Sequence, residues 1–71
     1  MKKIKSIFLI KDITTDKFFG TYRISDYWTN DIIDAKEFIN EEDALSLIQD
    51  EERFGDFFID KYLSIEKFIK L

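Results

Sequence analysis

Apolar residues change their spacing along this chain, and each change marks an expected element. From Ile4 to about Lys11, both parities are apolar at Ile7, Phe8, Leu9 and Ile10. That is the pattern of a strand covered on both faces, and hence central in its sheet. Thr14, Thr15, Asp16 and Lys17 make a polar break suited to a hairpin turn, with Asp16 able to bond its own backbone. Phe18 to Ile24 reads as the returning strand, Phe18, Tyr22 and Ile24 on one parity and Phe19 and Arg23 on the other. Gly20 inside it marks a bulge or a close backbone approach. Ser25 to Ala35 is less regular. There Trp28 is expected to plug the core near Phe8, Phe38 and Ile48, and Asp31 to Ala35 to form one helical turn. Lys36 to Ile39 suits a short additional strand.

The helical period is clearest over 41–53. Asn40 is a good N-cap, and Asp43 three residues on approximates a capping box. Ala44, Leu45, Leu47 and Ile48 line one face, while Glu42, Asp43, Ser46, Gln49 and Asp50 point away. Gly55 stands where a left-handed helix stop is wanted. Phe57, Phe58 and Ile59 then open a last strand reaching Leu63. Beyond it, Ile65, Phe68 and Ile69 fit a helical stripe, whereas Leu63, Ile65, Ile69 and Leu71 fit strand alternation. These elements imply one α+β domain over residues 1–71, a small antiparallel sheet of three to four strands packed on one helix in the order ββ(β)αβ.

A chain of 71 residues buries a thin core, and eight Phe, three Tyr and Trp28 supply its apolar payload. Without Cys there is no disulfide framework. The basic start is followed by too short an apolar run for a signal peptide, and no stretch approaches the roughly 20 apolar residues of a membrane span. The expectation is a cytoplasmic protein without membrane contact. Leu63, Ile65, Phe68, Ile69 and Leu71 crowd the end of the chain, so the tail either folds back on the sheet or is shared in a two-fold homodimer.

Phe8-Leu9-Ile10-Lys11, Thr14 to Phe19, Trp28 to Phe38, Glu42-Asp43-Ala44 and Phe58-Ile59 occur in a familiar order. This arrangement resembles small proteins of phages and prophages of AT-rich Gram-positive bacteria. In those, an IKxxTTGKY hairpin precedes WTxDIxxAxxF, an EEA helix and a closing aromatic strand. The resemblance covers roughly residues 8–62, with Asp16 in place of the usual turn Gly. It implies a fold sketch and a mobile-element origin, and it assigns no active site.

Charge is strongly segregated. Residues 26–60 carry twelve acids against two bases, Lys36 and Arg53, a formal charge of −10, while residues 1–25 carry +4 and residues 61–71 carry +2. With no His and no Cys, nucleophilic triads and soft metal sites are excluded, so no enzyme activity is expected. Asp26, Asp31 and Asp34 lack the spacing of a calcium loop, and Gly20 and Gly55 stand alone, so no cofactor is expected. Acids at 41–43 favour a helix N-terminus, but Asp50, Glu51 and Glu52 would occupy a last helical turn, where the dipole disfavours them. Two readings of the acidic window stay open: a plain solubilising face, or a functional surface, to which charge placed against local preference points. The candidate partner-binding residues are therefore Asp31, Asp34, Glu37, Glu42, Asp43, Asp50, Glu51 and Glu52. Their partner would be a host or phage protein with a basic surface, bound in the manner of a counter-defence, anti-CRISPR-like nucleic-acid mimic. The alternative is a small sheet-based nucleic-acid-binding or regulatory protein. It would use Lys2, Lys3, Lys5, Lys11, Lys17 and Arg23 on the first two strands, with Phe18, Phe19 and Tyr22 stacking bases.

Overall fold

The computed structural model describes residues 4–23 and 25–70, with residue 51 described by its backbone. Lys2, Lys3, Ile24, Leu71 and the Glu51 side chain, all named above, lie outside the described residues. The chain forms β1 (Lys5–Asp12), β2 (Lys17–Tyr22), β3 (Ser25–Thr29), a 3₁₀ turn (Ile32–Asp34), α1 (Glu41–Gln49), α2 (Glu51–Phe58) and β4 (Leu63–Lys70). The strands make one antiparallel sheet in the order β3-β2-β1-β4. It is an α+β domain.

The doubly apolar β1 is indeed interior. Phe8 and Ile10 pack into a cluster with Phe19, Phe38, Ala44, Phe54 and Phe58 beneath the helices. Ile7 and Leu9 face the other way, against Ala35, Phe18 and Phe68. Along one edge, β4 pairs with β1 from Lys5↔Lys70 to Asp12↔Leu63, so the apolar tail becomes a strand within the same chain.

Along the other edge, β1 and β2 pair at Lys11↔Phe18 and Asp12↔Lys17 and then part. Residues 36–38 enter the gap. Phe8 and Phe38 exchange two backbone hydrogen bonds of 2.9 Å, and the Lys36 amide donates to the Phe19 carbonyl at 2.9 Å. Buried backbone groups need partners, and this wedge supplies them. The expected strand over Lys36–Ile39 is thus a single bridge. The third strand lies instead at Ser25–Thr29, in a segment read as irregular. As an edge strand it is only half covered, and its polar residues hide the alternation.

The helical region differs from the expected single helix over 41–53. Asp50, at φ −78° and ψ 78°, ends α1 and caps α2: its amide donates to the Leu47 carbonyl, and its Oδ1 accepts from the Arg53 amide at 3.3 Å. Gly55 lies inside α2 rather than stopping a helix. Phe57 and Phe58 are helical rather than opening a strand, because Phe54, Phe57 and Phe58 follow the i, i+3, i+4 spacing of a buried stripe. The left-handed residue beyond α2 is Asp60, at φ 62°.

At the β1–β2 turn, Asp16 has φ 62°, but the side chain that organises the turn is Asp12. It accepts from the Thr14 amide at 3.1 Å and the Thr15 hydroxyl at 2.9 Å, while Asp16 pairs with Lys11 at 2.9 Å. Gly20 marks a close approach: a Cβ there would lie 2.8 Å from the Asp34 carbonyl oxygen and 2.9 Å from the Tyr27 ring.

Phe19 is the hub of the core. It is fully buried, with Trp28, Phe54, Phe57 and Phe58 rings centred 5.6–6.2 Å away. Trp28 belongs to the same cluster but is half-buried rather than enclosed, stacked on Phe57 at 5.5 Å with 6° between the planes. Phe19→Ala is therefore expected to cost about 3–5 kcal/mol, as large core truncations do, which matches the whole margin of so small a domain. In urea denaturation followed by circular dichroism, Phe19→Ala should be unfolded without denaturant, while Trp28→Ala should still show a transition at lower urea. The reverse order would place the hub at Trp28.

Candidate functional site

The eight acids singled out above are distributed over two layers of the molecule. On the helical layer, Glu41, Glu42 and Asp43 occupy the first turn of α1, where the Asn40 carboxamide oxygen accepts from the Asp43 amide at 2.9 Å. Asp50 ends α1 and caps α2, and residues 51 and 52 follow in the first turn of α2. These acids therefore lie between the negative pole of α1, which disfavours them, and the positive pole of α2, which favours them. The Asp50 cap and the α2 dipole give these positions a local reason that a single helix over 41–53 would not.

Asp31, Asp34 and Glu37 lie across the sheet. Asp31 caps the 3₁₀ turn through the Ile33 amide at 2.9 Å, and the Tyr27 hydroxyl donates to the Asp34 carbonyl at 3.0 Å. The close contact of Asp34 with Gly20 puts this turn on the face opposite Phe19, where Ala35 packs on Ile7 and Leu9. Glu37 is paired with Lys70 at 2.6 Å, and that hydrogen bond lowers its pKa despite partial burial. The structure thus brings Glu42, Asp43, Asp50 and the start of α2 together and leaves Asp31, Asp34 and Glu37 apart.

The helical layer is the stronger field. Residues 41–60 hold eight acids and one base, Arg53, a formal charge of −7. Among the described residues, the ion pairs engage Asp12, Asp16 and Glu37, and none neutralises an acid of α1 or α2. Glu42, Asp43 and Glu52 are exposed.

The basic strands look different. Phe18 and Phe19 point to opposite faces; Phe19 is sealed beneath the helices, and Phe18 packs edge-on against Phe68 at 6.1 Å. Phe19 is closed to stacking and Phe18 is half-buried, whereas Tyr22 is exposed with Arg23 over its ring. Lys11 is tied to Asp16, whose hydrogen bond and charge raise the lysine pKa.

Sequence reasoning passed over Asp12, which is 1% exposed. Besides its two turn hydrogen bonds, it faces Lys61 Nζ at 3.5 Å. Lys61 also lies over the Trp28 ring at 5.7 Å, so this carboxylate ties the first hairpin to the connection before β4. An acid at the end of an apolar strand, followed by two threonines, was the available signal.

Among the described residues, no group of three metal-ligating side chains comes together, and no helix is long and apolar enough to cross a membrane. Comparison with protein-family models finds no match, and comparisons with curated proteins and with solved structures find none either.

Burial pushes the Asp12 carboxyl up, but the Thr15 hydroxyl, the Thr14 amide and Lys61 outweigh it and hold the pKa below 3.8. A depressed carboxylate stabilises the fold above its unfolded pKa, and that contribution is lost as pH falls through the folded value. Urea midpoints should therefore decline as pH drops below about 4. Asp12→Asn should be less stable than the native chain at neutral pH, with the difference closing in acid. A difference independent of pH would show that the charge on Asp12 contributes nothing.

Proposed function

We propose that this protein is a non-catalytic binding module that engages a basic, nucleic-acid-binding protein through the acidic layer of α1 and α2. The observation that carries this reading is the formal charge of −7 over residues 41–60, with Glu41, Glu42, Asp43, Glu52, Asp56 and Asp60 exposed and, among the described residues, without ion pairs. Glu42 and Asp50 are separated by about 12 Å along α1 at 1.5 Å per residue. DNA spaces its charges by about 1.7 Å of axis, so the layer offers a coarse phosphate track rather than a base-by-base copy. A groove built for a nucleic-acid backbone is complementary to it. With the resemblance to phage and prophage proteins, the role we favour is counter-defence, an anti-CRISPR-like blocker acting in the cytoplasm of a bacterial host. Asp31, Asp34 and Glu37 are not needed for this contact.

The test is capture from bacterial lysate followed by a salt series. Proteins retained by the native chain should be basic nucleic-acid binders, and they should be released as salt rises, because exposed charges are screened within about 8–10 Å at physiological ionic strength. Glu42→Lys with Glu52→Lys should weaken binding at least about tenfold, with circular dichroism unchanged, since neither side chain caps a helix. Asp50 is spared because its cap contributes to folding. Undiminished capture by the double variant would reject the acidic layer as the contact.

A homodimer is a second reading, favoured by one observation. A groove of about 380 Å³ on the sheet face away from the helices runs between Ile7, Leu9 and Phe68 and the exposed Ile32, Ile33 and Ile69. Ile33 is 86% and Ile32 45% exposed, an arrangement that suits a self-complementary patch. It would also hold the acidic layers of two copies apart. Sedimentation equilibrium at micromolar concentration should then give about twice 8.6 kDa, and Ile33→Asp should return the mass to that of one chain. A single-chain mass for the native protein would dismiss this reading.

A further inference from the structure

The two bases of the acidic window, Lys36 and Arg53, are seventeen residues apart, yet the fold brings them to one cleft together with Arg23. The cleft lies where β2 and β3 meet the helices and has a volume of about 410 Å³, within the range of about 300–1,000 Å³ usual for small-molecule sites. Thr21 and Asp26 line it with these three bases, and Phe54 contributes an apolar wall. Three like charges around one cavity repel, and among the described residues none of them is answered by an ion pair. Each leans instead on an aromatic ring: Arg23 on Tyr22 at 5.4 Å, Lys36 on Phe38 at 5.5 Å and Arg53 on Phe54 at 5.0 Å.

Their backbones are anchored. The Lys36 amide is bonded to the Phe19 carbonyl, and the Arg53 amide to the Asp50 cap. Arg23 has φ 57°, the left-handed conformation that the two-residue connection between β2 and β3 requires, so the hairpin fixes its place at the cleft. Guanidinium groups suit phosphate oxygens, and a carboxylate such as Asp26 accepts from sugar hydroxyls.

We propose that this cleft binds a small phosphorylated ligand carrying hydroxyl groups, a sugar phosphate or nucleotide. Arg23, Lys36 and Arg53 receive the phosphate, and Asp26 accepts from the hydroxyls. The inference is independent of the protein partner proposed above. It inverts the charge of its surroundings locally: a negatively charged molecule would enter an acidic protein at the place where its isolated bases converge.

The experiment is nuclear magnetic resonance titration of the full chain with ribose 5-phosphate and, separately, inorganic pyrophosphate. Both should shift the amides of Thr21, Arg23, Lys36, Arg53 and Phe54, and saturate. Lys36→Gln and Arg53→Gln should each weaken both probes about tenfold, the usual effect of losing one charge-assisted contact, whereas Lys67→Gln should change neither. Asp26→Asn should weaken ribose 5-phosphate but strengthen pyrophosphate, because it removes an acceptor and a repulsive charge together. Shifts scattered over the surface, or affinities indifferent to the three bases, would overturn the site. Binding of pyrophosphate without ribose 5-phosphate would overturn the assignment of a hydroxylated ligand.

Discussion

Strand β1 sets the terms for everything else in this molecule. Apolar at both parities from Ile7 to Ile10, it must be covered on two faces, and as an interior strand it must find backbone partners on two edges. Seventy-one residues leave little to do this with. The helices and their aromatic stripe cover Phe8 and Ile10; Ala35, Phe18 and Phe68 cover Ile7 and Leu9. β4 completes one edge. The other is shared between β2 and the bridge at Phe38, which fills the space where the first hairpin opens. The connection from β3 to α1 therefore passes from one layer to the other through the sheet, and the charges along it are delivered to different sides.

That crossing explains the fate of the acidic window. One run in sequence becomes two populations in space. Asp31, Asp34 and Glu37 serve a 3₁₀ cap, a turn beside Gly20 and an ion pair with Lys70, whereas Asp26 lines the cleft beside the helices and the acids from Glu41 to Asp56 belong to α1, α2 and the cap between them. The break at Asp50 also changes their meaning. A single helix would have ended on a cluster of acids at its negative pole; two helices put the same residues where that pole meets the positive pole of α2. What remains unanswered by local chemistry is the surplus on the helical layer and the convergence of Arg23, Lys36 and Arg53 beside it.

These two features divide the surface into complementary signs over a short distance. In the contact proposed, the broad negative layer would act at range on a basic partner, with strength set by ionic strength. The positive cleft with its apolar wall would act at contact, selecting the proposed small anion by geometry. The first property depends on exposed charges and tolerates imprecision. The second depends on the wedge at Lys36, the cap at Asp50 and the turn at Arg23 holding three side chains around one cavity.

Much of the fold was legible without coordinates. The central strand, the hairpin after it, the helical turn at Asp31–Ala35, the Asn40 cap and the α+β class follow from local periodicity and capping, which are properties of neighbouring residues. Segregated charge and the absence of His and Cys are likewise facts of sequence alone. What tertiary structure decided were the contests between equally good local templates. Phe57 and Phe58 suited a strand until Phe19 offered a surface for a helical stripe. Residues 63–70 fitted both periods until the open edge of β1 took them as β4. Gly20 was ambiguous until Asp34 and Tyr27 came within contact of it. The cleft was invisible for the same reason: Arg23, Lys36 and Arg53 have no spacing in common, and only the packing of distant elements around a shared aromatic core makes them neighbours.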